Sequence, residues 1–511
     1  MQFPIFRSLW NILARRTPLI SYNTLGTSKQ EFNLPAPAKT VRMYNCGPTV
    51  YDIQHIGNLS MFVFTDTLRK VLECNNFKVK QVINITDVGH LTSDSDEGED
   101  KMTKGLEREG LEPTLENMLG MGEKYTSIFL DDLKNLNIRT EHISFPRASG
   151  YIRAQVAMIA TLVEKGFAYP SQDGVYFDTS RYPAYGALGG IHSENQGEGA
   201  RIATNKNKRN QADFALWKFS ASSKGGSFSG GKVGSASGGN ITGWDSPWGK
   251  GFPGWHIECS AMARAELGEQ IDIHTGGIEH IAIHHNNEIA QSECATGRKP
   301  FSRFWMHRAH IQIDGKKIAK SIGNVVYLSD VIARGYHPLS FRYLLLGAHY
   351  RTPLNFTWEA LGAAEKAFLR LRMIADNYPT GGNVPARYQK RVHKRFNDDL
   401  DTAGALGALW EMIKDSKLSH AQIRAGVLDA DKVLGLNLGA IDQKATEACK
   451  RMFGRKVEIQ SLPENVQTMI DERNVARERK EWEQADLLRK NIENLGYVLE
   501  DSAQETTVFQ K

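Results

Sequence analysis

Cys46-Gly-Pro-Thr-Val-Tyr-Asp-Ile-Gln-His-Ile-Gly-Asn58 lies between two differently patterned segments. Val41 to Tyr44 upstream read as a short strand, whereas Met61, Phe64, Leu68 and Val71 downstream recur at helical spacing. The stretch is therefore a strand-to-helix crossover, the turn from which an α/β fold is built. Such turns aim free backbone N–H groups and the positive end of the helix dipole at an anion. Pro48 and Gly57 suit a tight turn with close backbone approach, and His55 and Asn58 offer donors to phosphate oxygens. Cys46 adds a soft metal ligand beside that turn. Taken alone, the pattern also fits an ordinary connecting loop.

Working outward, Val79 to Ile85 form a β-branched run read as a second parallel strand, ending at Asn84-Ile85-Thr86-Asp87. Ligands of open α/β sheets sit beyond such strand ends. The polar segment from Thr92 to Glu99 reads as a loop. Ile152, Val156, Ile159 and Val163 mark an amphipathic helix, and Gly174 to Asp178 a short strand. From Ser220 to Gly243, 15 of 24 residues are Gly or Ser, too few apolar groups to offset the entropy of ordering, so a flexible tether is expected. Ile271 and Ile273 suggest a strand and a helix begins near His284. Leu361 to Ile374 and Ala403 to Ile413 carry further helical periodicity, and the last third is mainly helical. Near the end Trp482, Ala485, Leu488, Ile492 and Leu495 form an apolar stripe, with Arg473, Arg477 and Lys480 on another face.

A chain of 511 residues exceeds one hydrophobic core, so several domains are expected. Its 63 basic and 58 acidic residues give +5, a mild excess compatible with an acidic partner such as RNA. Five cysteines with no paired spacing fit a reducing compartment, with cytosol the default. No run of 18 apolar residues occurs, so no membrane association is expected. Residues 1 to 20 are apolar with Arg7, Arg15 and Arg16, a composition shared by transit peptides, appended surface helices and misplaced starts.

Two later stretches complete the pattern. Gly-Trp-His-Ile-Glu-Cys-Ser-Ala-Met from Gly254 precedes Asp-Ile-His-Thr-Gly-Gly-Ile-Glu-His-Ile-Ala-Ile-His-His-Asn-Asn-Glu, ending at Glu288, and Lys-Lys-Ile-Ala-Lys-Ser-Ile-Gly-Asn follows from Lys316. Together they resemble the class I aminoacyl-tRNA synthetases, specifically the cysteinyl-tRNA synthetase family, from about Tyr22 to the C-terminus. The resemblance implies a Rossmann-type parallel-sheet catalytic domain in halves at 22–138 and 253–325, after an extension at 1–21. A connective insertion at 139–252, containing the 220–243 tether, separates the halves. A stem-contact helical region at 326–390, a helical bundle at 391–455 and an anticodon-binding domain at 456–511 follow.

By the same resemblance Cys46, Cys259, His284 and Glu288 are zinc ligands. His284 and Glu288 share a helix face at i, i+4, and two thiolates, an imidazole and a carboxylate suit Zn²⁺. Gly47, Thr86, Trp255 and His274 line a cysteine pocket. His55-Ile-Gly-Asn58 stands for the His-Ile-Gly-His motif, and Lys317-Ile-Ala-Lys320-Ser321 for Lys-Met-Ser-Lys-Ser, departing at Ile318 and Ala319. Pro48, Thr49 and Gly57 join these in binding ATP, with His55, Asn58, Lys317 and Lys320 as the catalytic groups. The expected reaction activates L-cysteine with ATP and Mg²⁺ to cysteinyl adenylate, then transfers it to the terminal ribose of tRNA(Cys); a monomer is expected. The alternatives are a cysteine ligase of mycothiol-type synthesis and a catalytically inactive tRNA-binding relative. The long region past the lysine loop opposes the first, and retention of the metal ligands and both lysines opposes the second.

Overall fold

The computed structural model describes residues 17–35, 37–88, 101–190, 206–220, 241, 243–501 and 506–510. Expectations for most of residues 1 to 20, for the acidic 92–99 segment and for the body of the Gly/Ser-rich tether lie outside the described residues. The chain divides into two compact units. The first comprises residues up to 328 with 350–355 and 397–400; the second comprises 329–349, 356–396 and 401 onward.

A five-stranded parallel sheet organises the first unit. Its strands in chain order are β1 (Thr40–Asn45), β2 (Lys78–Ile83), β3 (Ile143–Ser144), β4 (Ile271–Gly277) and β5 (Ser302–Arg308). Their spatial order is β5-β4-β1-β2-β3, so the sheet runs outward in both directions from the β1–β4 pair. That pair is the topological switch point, where crevices form beyond the strand ends. β1 and β4 register as Met43–Ile273, Tyr44–His274 and Asn45–Thr275. The helix α1 (Ile56–Cys74) follows β1, α2 (Trp255–Leu267) precedes β4, and α3 (His284–Thr296) follows it. The edge strand β3 lies beyond residue 138, so the first half of the sheet extends into the range assigned by sequence to the insertion.

Strand formation follows the apolar pattern: Val41, Met43, Tyr44, Val82, Ile83, Ile271 and Ile273 are all buried. α3 differs. His284 through Ala295 are buried although most are polar, so each needs a partner. Asn286 Nδ2 donates to the Ile281 carbonyl at 2.7 Å, Gln291 Nε2 to Ser260 Oγ at 3.2 Å, and Glu293 Oε1 accepts from the Phe301 N–H at 3.0 Å. A buried helix this polar is there to present side chains rather than to fill volume.

Within the insertion, the helix Ile152–Glu164 is followed by a four-stranded antiparallel sheet of Ala168–Pro170, Gly174–Phe177, Phe214–Phe219 and Gly251–Pro253. The second unit is mainly helical, including Trp358–Asn377, Thr402–Ile413 and His420–Leu434. It ends in two helices, Glu464–Glu478 and Trp482–Asn494, beside a three-stranded antiparallel sheet formed by Arg455–Val457, Tyr497–Asp501 and Thr506–Gln510. Ala485, Leu488 and Ile492 of the apolar stripe are buried, but Trp482 and Leu495 are exposed.

The basic face read from the sequence is not a free face. Arg473 is only 3% exposed and pairs with Asp501 through both terminal nitrogens, while Arg477 Nη1 reaches Asp501 Oδ1 at 2.8 Å. Arg473 is a structural residue that ties the helix Glu464–Glu478 to the strand Tyr497–Asp501. Breaking such a pair costs about 3 kcal/mol, at the lower end of the usual range because Arg477 stays with Asp501. Arg473→Ala should therefore lower the unfolding midpoint of the C-terminal region in denaturant while the midpoint of the first unit stays at its wild-type value.

Candidate active site and metal centre

The site sits at the C-terminal ends of β1 and β4. Cys46 follows β1 directly, and its N–H donates to the Thr275 carbonyl of β4 at 3.1 Å. Cys259 comes from α2, and His284 and Glu288 from one face of α3. One ligand atom from each of these four buried residues lies within 4.8 Å of all the others. A tetrahedral zinc site with bonds of about 2.0–2.3 Å spaces its ligands roughly 3.3–3.8 Å apart, so the quartet fits after small side-chain shifts. His284 Nε2 lies 2.9 Å from Glu288 Oε1 but is buried without a hydrogen-bond partner, as an atom aimed at a metal would be.

Surrounding groups orient these side chains. His284 Nδ1 pairs with His256 Nδ1 at 2.9 Å, and Glu288 Oε2 with His274 Nε2 at 2.9 Å. Cys46 Sγ is 3.3 Å from His285 Nε2, whose Nδ1 reaches His307 Nε2 at 2.7 Å. Cys46, His274, His285 and Glu288 form a second compact group. Of the two sets, only the first places three members on the cavity wall, so it is the set open to a substrate.

Electrostatics separate the two thiols. Burial raises Cys46 well above an ordinary thiol, and the neighbouring Cys259 adds to this. Cys259, accepting a hydrogen bond from Cys46, is brought down to about 6 against the opposing effect of burial. Burial opposes a charge on His284, but Glu288 and Cys259 raise it to about 10. Burial likewise opposes ionisation of Glu288, yet His274 and His284 hold it at about 2.

A cavity of about 420 Å³ opens over the cluster, its wall including Cys46, Cys259, His284, Thr86 and Trp255. Gly47 also lines it because nothing larger fits: a Cβ there would lie 1.6 Å from the Asn84 carbonyl oxygen. The Gly47 N–H donates to Asn84 Oδ1 at 2.8 Å. Thr86 Oγ1 donates to Glu258 Oε2 at 3.0 Å, and burial pushes that carboxyl up, with the Cys259 charge adding. His274, expected to line the pocket, lies beneath it and acts on Glu288 instead.

At the other end of the cavity wall are Pro48, Thr49, His55, Asn58 and Lys320. His55 caps α1, its Nδ1 accepting from the Asn58 N–H at 3.2 Å. A Cβ at Gly57 would lie 2.8 Å from the His55 ring and 2.9 Å from Ile318, so glycine lets the lysine loop approach. Lys317, expected beside Lys320, is exposed on the short strand Lys316–Lys317 and off the cavity wall. The side chain of Ser321 lies outside the described set.

Sequence reading missed His256, Glu258, His285, His307, Asp52 and Glu279. Histidines and carboxylates gathered within His256–Cys259 and Glu279–Glu288 were the available signal; Asp52 gave none beyond its place in the turn.

This sheet order, crevice and lysine loop define a class I aminoacyl-tRNA synthetase. Residues 33–366 match the family profile of the class I (C) tRNA synthetase catalytic domain, and 460–508 the cysteinyl-tRNA ligase anticodon-binding domain. The chain belongs to the cysteine–tRNA ligase family. It is 43% identical over 493 residues to the Burkholderia lata protein named cysteine–tRNA ligase 1, covering 96% of this chain and 97% of that one. Identity to the Treponema denticola cysteine–tRNA ligase is 37% over 512 residues, covering 95% and 98%. A similar fold occurs in Mycobacterium tuberculosis methionyl-tRNA synthetase bound by methionyl-adenylate, with TM-score 0.52 and 15% identity over 80% of this chain and 93% of that one. The anticodon-domain match disfavours the small-molecule ligase alternative. Among the described residues no helix is long and apolar enough to cross a membrane.

Burial and the nearby Lys320 charge lower His55 to about 4. Its folded value lies below the unfolded value near 6.5, so protonation favours unfolding, increasingly as pH falls from 6.5 towards 4. Denaturant titrations should show wild type losing stability relative to His55→Gln across that window, and above it a constant difference set by the change of cap.

Proposed function

We propose that this cysteine–tRNA ligase selects cysteine through zinc held by Cys46, Cys259, His284 and Glu288. The observation that carries the reading is this quartet, converging on a cavity that also reaches the His55 turn and Lys320. Serine and cysteine differ little in shape, and size alone separates near-isosteres by only roughly 10- to 200-fold. Zinc there supplies a Lewis acid that lowers a thiol's pKa and favours sulfur over a neutral hydroxyl. Trp255 and Thr86 on the wall, with Gly47 at its narrowest backbone approach, shape the cysteine pocket. Glu288 is oriented by His274.

The carboxylate of cysteine attacks the α-phosphorus of ATP, releasing pyrophosphate and leaving cysteinyl adenylate; Mg²⁺ enters as the counter-ion of ATP. The protein's part is position and charge. Backbone N–H groups at the start of α1 face the phosphates, with Pro48, Thr49 and Gly57 shaping the turn. His55 spends its Nδ1 on the Asn58 N–H, leaving Nε2 and the Asn58 amide for phosphate oxygens. Lys320 meets the pyrophosphoryl charge, and Lys317 adds to the field from outside the cavity. The terminal ribose of tRNA(Cys) then attacks the mixed anhydride.

Metal uptake gives one test. Without metal near pH 8, Cys46 and His284 hold protons, whereas Cys259 and Glu288 do not. Binding one zinc at pH 8 should therefore release about two protons, readable by calorimetry in buffers of different ionisation enthalpy. Cys259→Ala should lose zinc and discrimination against serine together; active enzyme without zinc would sink the reading.

The anticodon-binding domain supplies the second test. Trp482 is 59% exposed at the start of its helix, two residues after the exposed Lys480, and an exposed aromatic offers a stacking surface for an unpaired base. Such stacking contributes about 1–3 kcal/mol per base. Trp482→Ala should reduce kcat/KM for tRNA charging about tenfold and leave ATP–pyrophosphate exchange at the wild-type rate. Equal losses in both assays would rule out this division of labour.

A further inference from the structure

Asp52 lies on the cavity wall and has no part in the reaction described above. Its side chain is 16% exposed, and its Oδ2 receives cations from two directions. Arg108, on the helix Lys101–Glu109, places Nη1 2.6 Å from that oxygen while Nη2 donates to the Tyr51 carbonyl at 2.7 Å and to Tyr125 Oη at 3.1 Å. Lys320 forms the other ion pair, its Nζ 5.2 Å from the Tyr51 ring centroid. The lysine loop is braced from within as well: the Ala319 N–H donates to Asn324 Oδ1 at 2.9 Å, and Asn324 Nδ2 to the Lys317 carbonyl at 3.0 Å. Ile318 rests over Gly57. The nucleotide-free loop thus meets the His55 turn through the Ile318 contact and the Lys320 charge, and just past the loop the Ile56 N–H donates to the Val326 carbonyl at 2.9 Å.

We propose that Asp52 is a positioning residue that latches Lys320 in the free enzyme and yields it to the triphosphate of ATP. This rests on reading Lys320 as the lysine that meets the pyrophosphoryl charge. Arg108 makes the exchange workable, because Asp52 keeps a counter-charge after Lys320 leaves and is never stranded in a partly buried site. The sign of the effect follows from linkage. A contact present in the free enzyme and absent once Lys320 is on phosphate stabilises only the starting state, so it opposes ATP use. Removing the Asp52 charge also removes its repulsion of the triphosphate.

Asp52→Asn keeps the shape and deletes the charge. In cysteine-dependent ATP–pyrophosphate exchange, kcat/KM for ATP should rise about two- to fivefold, the range a part-exposed ion pair supports, with KM for cysteine unchanged. Hydrogen exchange of residues 314 to 325 should be faster than wild type without nucleotide and equal to wild type with saturating ATP. Arg108→Gln should act oppositely, lowering kcat/KM for ATP by tightening the grip of Asp52 on Lys320, and should have no effect in the Asp52→Asn background. Unchanged or reduced kcat/KM in Asp52→Asn would overturn the latch, as would a loop that stays loosened with ATP bound or an Arg108→Gln loss that survives without Asp52. Lys320→Ala is the control for the underlying reading. If it leaves exchange intact, the role of Lys320 itself fails; if it abolishes exchange while Asp52→Asn is neutral, only the latch fails.

Discussion

The pairing of β1 with β4 is the constraint on which the site depends. Met43, Tyr44 and Asn45 lie beside Ile273, His274 and Thr275, and the Cys46 N–H adds a bond to the Thr275 carbonyl beyond the last registered pair. Each such bond contributes about 0.5–1.5 kcal/mol net. What matters more is register, because side chains alternate faces and a slip of one residue would turn Cys46 out of the cluster and His274 off Glu288. Residues more than 200 positions apart in the chain therefore meet through backbone geometry, before any metal chemistry is invoked.

That geometry gathers charges on buried side chains at the floor of a cavity. Two thiols, several imidazoles and a carboxylate lie within a few ångströms, all buried. Isolated charges in such a place are expensive, and the groups respond by dividing protons unequally: one thiol held protonated, its neighbour a thiolate, an imidazolium between thiolate and carboxylate. A divalent cation on these donors would remove the need for that arrangement by replacing protons as the positive charge. The histidines behind the cluster pair with its members, which explains why α3 is buried yet polar.

The site was legible where chemistry demands particular residue types at particular places. Cys46, Cys259, His284 and Glu288 are an unusual donor set that the fold does gather, and the residues of the His55 and Lys320 motifs do share one cavity wall. What sequence could not supply was partnership. Asp52 is one acid in a turn until Arg108 and Lys320 arrive from distant segments, and Glu258 looks like an ordinary helix residue until Thr86 bonds to it. Arg473 is another case: its spacing with Arg477 and Lys480 marks one basic helix face, but sequence could not show that Asp501 pairs with two of the three. Lys317 differs in kind: the motif aligns it with Lys320, but a two-residue strand turns it outward. Fold-level reading fared better because parallel strands are buried on both faces and announce themselves as apolar runs, whereas the terminal three-stranded sheet, with mixed polar strands such as Arg455–Val457, does not.

The described residues on either side of the Gly/Ser-rich run fix the path of the chain towards the site. The strand Phe214–Phe219 pairs with Gly251–Pro253 in the register Trp217–Pro253, Lys218–Phe252 and Phe219–Gly251. Ser220 then donates its N–H to the Lys250 carbonyl at 3.0 Å, and the Trp244 N–H donates to the Gly251 carbonyl at 2.7 Å. The ladder thus closes on both sides of the run, which leaves one strand and returns beside its neighbour. For a connection closed in this way, added length costs only about 0.6 kcal/mol per doubling. The closed register, not the connection, sets where the chain enters Pro253 and Gly254, and hence where α2 begins and where Cys259 is delivered one turn later. The placement of Cys259 is insulated from the Gly/Ser-rich run because a hairpin ladder stands between them.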